Sequence, residues 1–196
     1  MRVGRCAAAA RPCGAGRIAR MTDPMPTETA VIVAVPEAEP VVGRHRARLD
    51  WSAARGVPAH VTVLYPFVPP ALVDDDVLAR LAAAVRGTGG FTASWREVRW
   101  FGEDVAWLAP EPEQRFRALT EAVVAAFPQH PPYEGRFEDV TPHLTVGDQG
   151  TLADRRAAAA DVRDGLPLTS EVHEVLLMAG STAPGSWRTL AACPLG

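Results

Sequence analysis

The chain has 196 residues, and 47% of them are hydrophobic, so it is large enough for one folded domain with a substantial core. The 20 basic and 23 acidic residues give a formal net charge of −3, which argues against a broad nucleic-acid-binding surface. Every basic residue is an arginine. A Walker A loop and a covalent lysyl intermediate both need lysine, so these two chemistries are excluded.

The cysteines are Cys6, Cys13 and Cys193, which are odd in number and lack the close spacing of metal-binding pairs. They predict neither a disulfide framework nor a zinc site. Free thiols favour a reducing, cytoplasmic setting. No apolar run approaches the roughly 18 residues that a membrane span needs. We therefore expect a cytoplasmic protein without membrane contact.

Residues 1–24 differ in composition from the rest of the chain, with five arginines, one acid and the run Ala7–Ala10. This favours a disordered leader, or translated sequence upstream of a true start at Met21 or Met25; an organelle transit peptide is the alternative. The folded domain is expected to span residues 25–196, with lobes at about 25–109 and 110–196.

The domain begins with the pattern of a strand followed by a basic helix. Residues 29–35 form a continuous apolar run, typical of a buried strand, and residues 38–54 can form a helix. His45 on this helix is expected at the surface. The basic residues here form either a solvated face or a wall that attracts phosphate, and they are Arg44, Arg46, Arg48 and Arg55.

Residues 60–67 predict a strand, because β-branched side chains alternate and Pro66 ends the pattern. The two-residue period of a strand places His60 and Thr62 on one face, with the imidazole and the hydroxyl about 7 Å apart. Leu64 follows on that face. The opposite face is expected to take Val61, Val63 and Tyr65.

The middle of the chain predicts an amphipathic helix over 71–86 that ends at a glycine-rich turn. The acids Asp74–Asp76 in its first turn are interpreted as complementing the helix dipole, with a metal cluster as the alternative. Two strands and a further helix follow, over 91–101, over 105–108 and from Pro112 onwards.

A proline-rich loop over residues 128–142 leads to the second half. Its length is typical of a gate beside a functional site, although a surface loop held by its aromatic residues explains it equally well. Its candidates for stacking on or clamping a nucleotide are Tyr133, Arg136 and Phe137. His130 is interpreted as an ordinary loop residue.

The His-x-Thr motif occurs a second time, at His143-Leu144-Thr145-Val146. A helix over 152–163 with a capping-box start, a strand over 168–179 and a final strand over 187–193 follow. Each half therefore has the order His-x-Thr strand, helix, long strand, short strand, which indicates an internal duplication. A pseudo-two-fold arrangement would bring the two motifs together across a central cleft.

Two histidines and two threonines on opposite sides of a cleft suit in-line attack on a phosphodiester. One imidazole can accept the proton of the nucleophile while the other protonates the leaving oxygen, because histidine titrates near neutrality. The threonine hydroxyls can donate hydrogen bonds to the phosphate oxygens. One imidazole must be neutral while the other is protonated, so a bell-shaped pH profile around neutrality is expected.

These residues carry a family resemblance. Residues 58–67 and 142–146 resemble the paired signatures of the two-histidine (2H) phosphoesterases, and the bacterial 2′-5′ RNA ligase-like branch is the most similar. The resemblance implies an α+β, bilobal fold with a central cleft. It also implies metal-free hydrolysis of 2′,3′-cyclic phosphates on RNA ends or nucleotides, and reversible 2′-5′ ligation gave the branch its name.

By the same resemblance, His60 and His143 take the acid–base roles, and Thr62 and Thr145 bind phosphate. Further candidates for substrate binding are Tyr65, Tyr133 and Arg136. No metal or cofactor is expected, and the protein is expected to be a monomer that acts on RNA ends or small cyclic nucleotides. The chain departs from the RNA-acting members at Gly147-Asp148, where those members often carry a basic residue, which argues against tight binding of long RNA.

Three alternatives stay open at this point. The chain can be a binding module that holds a nucleotide without turning it over. A two-histidine metal site is a weaker alternative, because each strand offers only one good ligand and no His-x-His or His-Glu-x-x-His motif occurs. The two histidines can also be ordinary core residues.

Overall fold

The computed structural model describes residues 25–136 and 140–196, so the predicted leader lies outside it, as does Phe137. Within the described residues the strands are β1 (Glu28–Ala34), β2 (His60–Leu64), β3 (Phe91–Phe101), β4 (Val105–Glu111), β5 (Leu144–Gly147), β6 (Leu168–Val172), β7 (Glu174–Gly180) and β8 (Arg188–Pro194). The α-helices are α1 (Glu39–Leu49), α2 (Trp51–Ala54), α3 (Asp75–Arg86), α4 (Glu113–Ala126) and α5 (Leu152–Arg163).

The strands form two four-stranded antiparallel sheets, which confirms the expected α+β class. Their orders are β2-β1-β7-β8 and β5-β4-β3-β6. Each sheet thus takes two strands from residues 25–109 and two from 110–196. The sheets do not follow the expected lobes, because β7 pairs with β1 over Glu28–Ile32 and carries β8 with it.

The strand predicted over 168–179 is in fact two strands that separate at His173. The first of them, β6, pairs with β3 in the second sheet, and the other, β7, pairs with β1 in the first sheet. One predicted strand therefore crosses from sheet to sheet. The alternating pattern of β6 gives way to a nearly continuous apolar pattern in β7, but which strand each part pairs with is a long-range property that the sequence alone did not indicate.

The helix predicted over 38–54 is divided at Asp50, which has extended backbone angles (φ −126°, ψ 116°). Its carboxylate accepts a hydrogen bond from the Ser52 amide (2.7 Å) and so caps α2. His45 on α1 is only 7% exposed, so the expectation of a surface histidine is wrong. Its Nε2 accepts a hydrogen bond from the Arg44 guanidinium (3.0 Å), and the apolar side of the helix carries it inwards.

Of two predicted helix starts one is confirmed, whereas the helix predicted over 71–86 begins only at Asp75. The Asp74 carboxylate accepts a hydrogen bond from the Val77 amide (2.9 Å), so this acid caps α3, with Asp75 and Asp76 in the first turn. Thr151 and Asp154 form the predicted capping box, and α5 has the predicted bounds. Both starts depend on contacts within four residues, which a local pattern contains.

The main core lies between the sheets and the helices, and Trp95, Phe116 and Phe127 are its largest fully buried side chains. A second, smaller cluster covers the other face of the first sheet, and it consists of Ala30, Ile32, Val57, Met178 and Trp187. This second cluster forms the apolar floor of the site described below. No helix among the described residues has the length and apolar character of a membrane span.

Candidate functional site

The first motif lies on β2, at an edge of the first sheet. Its pairing with β1 matches Ile32 with Thr62 and Val31 with Leu64, so Val63 is an extra residue on β2. This bulge buries Val63 and Leu64 in succession. Because of the bulge, Tyr65 lies on the same face of the strand as His60. The prediction that Leu64 shares this face and that Tyr65 lies on the opposite one is therefore wrong.

The second motif reaches the site from the other sheet. The strand β5 begins at Leu144, one residue after His143, and Thr145 lies opposite Trp107 of β4. Leu144 and Val146 are completely buried, which leaves Thr145 on the cavity side. The two motifs are therefore built in the same way. In each of them the residues before and after the threonine are buried, and the threonine side chain faces the cleft.

One cavity of about 280 Å³ lies between the two motifs. Six of the seven side chains that the sequence indicated line it, and they are His60, Thr62, Tyr65, Tyr133, His143 and Thr145. Arg136 is not among its lining residues. That side chain is 74% exposed and forms an ion pair with Glu134 (2.8 Å), so the structure places it at the surface.

The two histidines make the same hydrogen bond. His60 Nδ1 is 2.8 Å from the Pro58 carbonyl oxygen, and His143 Nδ1 is 2.8 Å from the Thr141 carbonyl oxygen. A carbonyl only accepts, so each Nδ1 carries a proton and donates it. The neutral ring then has its free lone pair on Nε2, which is the atom available to a substrate.

The two imidazoles differ in their electrostatic surroundings. Burial and the nearby Arg46 guanidinium lower the pKa of His60 from its ordinary value of 6.5 to about 4, although the Pro58 carbonyl and Asp50 oppose this. Burial also lowers the pKa of His143, again opposed by a carbonyl and by Asp50. Both rings are therefore held neutral, and the Arg46 guanidinium adds to this effect at His60.

Behind His60, Arg46 and Asp50 form a buried ion pair. The guanidinium contacts the carboxylate through Nε (2.9 Å) and Nη2 (2.8 Å), and the two side chains are each 2% exposed. Arg46 also approaches Glu39 (3.5 Å). It is therefore part of the interior, contrary to the solvated face considered above, and none of the four arginines of this region lines the cavity.

Aromatic rings surround His143. The Phe101 ring meets the imidazole edge to face (5.1 Å between centroids) and stacks on Trp107 (4.7 Å). A second cavity of about 580 Å³ adjoins this side, and it shares Val105, Tyr133 and His143 with the first. Aromatic rings therefore surround His143, while Asp104 and Thr141 also line the second cavity beside it.

Tyr133 connects the loop 128–142 to the first motif. Its amide donates to the Tyr65 carbonyl (2.7 Å), and its hydroxyl is hydrogen-bonded to the Thr62 side chain. Burial raises the pKa of this phenol. Tyr65 instead donates its hydroxyl to Glu28 (3.1 Å), so only its ring faces the cavity.

Several cavity residues were not identified from the sequence as site residues, and they are Asp50, Trp51, Ser52, Val57, Val105, Asp148, Met178 and Trp187. The sequence did contain an indication for Asp148, because this acid follows the second motif at the place where RNA-acting members of the family often carry a basic residue. The indication for Asp50 was weaker. The pattern Asp-x-Ser is typical of a helix cap, and it indicates that the predicted helix is divided at this residue. The apolar residues look like any other core residue in the sequence.

Known proteins share this fold. The chain resembles E. coli LigT solved with 3′-AMP (TM-score 0.57, 20% identity, 87% of this chain and 98% of that one). It also resembles E. coli LigT solved with NADP+ (TM-score 0.55, 22% identity, 87% and 98%). A third similar structure is TT0787 of Thermus thermophilus (TM-score 0.58, 19% identity, 86% and 97%). No curated protein sequence matches the chain.

The family described as the 2′-5′ RNA ligase superfamily matches the chain over residues 34–183. This range contains both His-x-Thr motifs and parts of both sheets. Because the match covers well over half of the sequence, the chain belongs to the 2′-5′ RNA ligase superfamily.

Proposed function

We propose that the protein is a metal-independent phosphodiesterase that opens 2′,3′-cyclic phosphates on nucleotides or RNA ends. The observation that carries this proposal is the matched pair of imidazoles on one cavity. Each donates Nδ1–H to a backbone carbonyl at 2.8 Å, and each is accompanied by a threonine of the same motif. Two oriented proton carriers and two hydroxyl donors suffice for this chemistry.

In the proposed reaction His60 is the general base, because its pKa of about 4 keeps Nε2 unprotonated near neutrality. It takes a proton from a water molecule as the water oxygen attacks phosphorus. The bond from phosphorus to one ribose oxygen breaks, and protonated His143 gives that oxygen its proton. The product is a phosphomonoester beside a free hydroxyl, and the two imidazoles have exchanged protonation states.

The threonine hydroxyls are proposed to donate to the non-bridging phosphate oxygens as negative charge develops on them. Thr62 already engages another hydroxyl, that of Tyr133, so a phosphate would find two donors there. The Tyr65 ring offers an apolar surface for the nucleoside. Attack by a 5′-hydroxyl in place of water would give 2′-5′ ligation with the same residues.

A binding module without turnover is the second candidate. It is suggested by E. coli LigT, a protein of similar fold that has been solved with 3′-AMP and with NADP+. The fold is therefore compatible with nucleotide binding. For this chain, retention of both imidazoles, both with a free Nε2, favours the enzyme.

Turnover of 2′,3′-cyclic nucleotides, followed by 31P NMR with EDTA present, tests the proposal. We expect one phosphomonoester product from each nucleotide that is accepted. Cyclic-phosphate-ended oligoribonucleotides and 2′-5′-linked RNA belong in the same screen. Nucleotide binding by calorimetry without any turnover would indicate the binding module, and a requirement for added metal would contradict the acid–base mechanism.

A further inference from the structure

Asp148 lies in the cavity that contains both histidines. Backbone contacts hold its position, since the amides of Asp148 and Gln149 both donate to the Leu49 carbonyl (2.7 and 2.8 Å). The Trp51 amide lies 3.4 Å from its Oδ1. The carboxylate is therefore a fixed part of the cavity wall and is attached to the segment that joins α1 and α2.

The charge of Asp148 is not compensated within the described part of the chain. Asp50, the other carboxylate of the cavity, is paired with Arg46 at 2.8 Å, whereas no described residue forms an ion pair with Asp148. Burial and the neighbouring Asp50 raise its pKa, as expected for a carboxylate that lacks a cation. No described arginine lines the cavity: Arg55 lies over the Trp51 ring and Arg136 pairs with Glu134.

We propose that Asp148 is a specificity-determining residue that favours nucleoside 2′,3′-cyclic phosphates with no second phosphate over those that carry one. The inference rests on the proposed function and narrows it, since it selects small nucleotides over RNA ends. Asp148 lines the cavity of about 280 Å³ and not the adjoining one near His143, so a second phosphate that binds in this first cavity meets the carboxylate. A 5′-hydroxyl can instead donate a hydrogen bond to it.

Two nucleotides that differ only in charge test this role. They are cytidine 2′,3′-cyclic phosphate with a 5′-hydroxyl and the same compound with a 5′-phosphate. The native protein should prefer the first by about 3- to 30-fold in kcat/KM, the range expected for two like charges several ångströms apart at a protein surface. A cyclic-phosphate-ended dinucleotide, whose internal phosphodiester takes the place of the 5′-phosphate, should be disfavoured in the same way.

The variant Asp148→Asn keeps an oxygen that can accept from Trp51 and removes the charge, so the preference should fall toward 1. Asp164→Asn is the matched control, because Asp164 is exposed at the end of α5 and outside the cavity. It should retain the native preference. High salt applied to the native protein should also weaken the preference, and this measurement does not depend on the folding of a variant.

The outcomes separate this inference from the proposed function. An unchanged preference in Asp148→Asn, or a native preference that salt leaves unaltered, overturns the role of Asp148 while turnover itself continues. Absence of turnover overturns the proposed function. In that case calorimetry with cytidine 2′-monophosphate and cytidine 2′,5′-bisphosphate tests Asp148 by binding alone, and equal affinity of the native protein for the two ligands would overturn the role.

Discussion

Tyr133 and Thr62 are hydrogen-bonded through their side-chain hydroxyls, which joins the loop before the second motif to the strand of the first. Tyr133 has φ 49° and Glu134 φ 57°, both in the left-handed region that side chains other than glycine rarely adopt. Such a conformation costs about 1–3 kcal/mol per residue and needs support from surrounding contacts. The Tyr65 carbonyl, which accepts from the Tyr133 amide at 2.7 Å, supplies part of that support.

The variant Tyr133→Phe removes this hydroxyl and keeps the ring. If the phenol is a second donor to the phosphate, KM for a cyclic nucleotide should rise by about 3- to 10-fold, as expected for one neutral hydrogen bond. Steady-state kinetics and a thermal melt measure the two effects separately. An unchanged KM in a folded variant would show that Tyr133 only positions Thr62.

Replacement of either histidine should remove one proton transfer. We expect His60→Ala and His143→Ala each to lower kcat by about 10²-fold or more. The double variant should be little worse than either single one, because the pair acts as a unit. His173→Ala is the control, since His173 is exposed and outside the cavity. Near-native turnover by either folded single variant would contradict the mechanism.

The threonines should contribute less than the histidines. Thr62→Ala and Thr145→Ala each remove one hydroxyl donor and should lower kcat/KM by about 10- to 100-fold. Serine at either position keeps the donor and should recover part of the rate. Thr92→Ala on β3, an exposed position, is the control for loss of a threonine. Equal rates for the alanine and serine variants would argue against hydrogen bonding to phosphate.

The pH profile of kcat/KM should lie on the acid side of neutrality. Activity should rise with pH through the pKa of His60, about 4, because the base must lose its proton. It should fall as pH rises through the pKa of His143, which burial places below 6.5, because the acid must keep its proton. This replaces the expectation of limbs around neutrality. A rate that continues to increase above pH 7 would reverse or reject these assignments.

The lowered pKa values of His60 and His143 also make the free energy of unfolding depend on pH. Both histidines have lowered pKa values in the folded protein, so the unfolded chain binds more protons between pH 6.5 and about 4. Their contribution to the free energy of unfolding is complete above pH 6.5 and is lost as pH falls toward 4. Denaturant titrations across that range measure it, with His60→Ala expected to flatten the dependence.

The Arg46–Asp50 pair should matter more for stability than any surface ion pair. Arg46→Met leaves a buried carboxylate unpaired and should cost about 3–5 kcal/mol of unfolding free energy. Arg156→Met is the matched control, because Arg156 is 63% exposed where it pairs with Glu103, and it should cost less than about 1 kcal/mol. Adding Asp50→Asn to Arg46→Met should restore part of the loss. Equal costs for the two arginine variants would contradict this account.

The sequence alone determined those features whose causes lie within a few residues. The His-x-Thr strands, the acidic first turn of α3 and the capping box at Thr151 depend on alternation or on contacts across one helical turn. The family resemblance also came from short motifs, and the match over residues 34–183 confirms it. Most of the individual helices and strands belong to this group, but the predicted duplicated order does not hold, because the long strand of the second half is in fact β6 and β7 in different sheets.

Other features were decided only by the tertiary structure. The bulge at Val63, which moves Tyr65 to the cavity, exists because the pairing of β1 with β2 changes register at this point. The crossing at His173 arises because β6 and β7 find different partners. Asp148 reaches the cavity of Asp50 through hydrogen bonds to the distant Leu49 carbonyl, whereas Arg136 lies outside this cavity and pairs with Glu134. Pairing and burial depend on which surfaces meet, and a pattern of neighbouring residues does not contain that information.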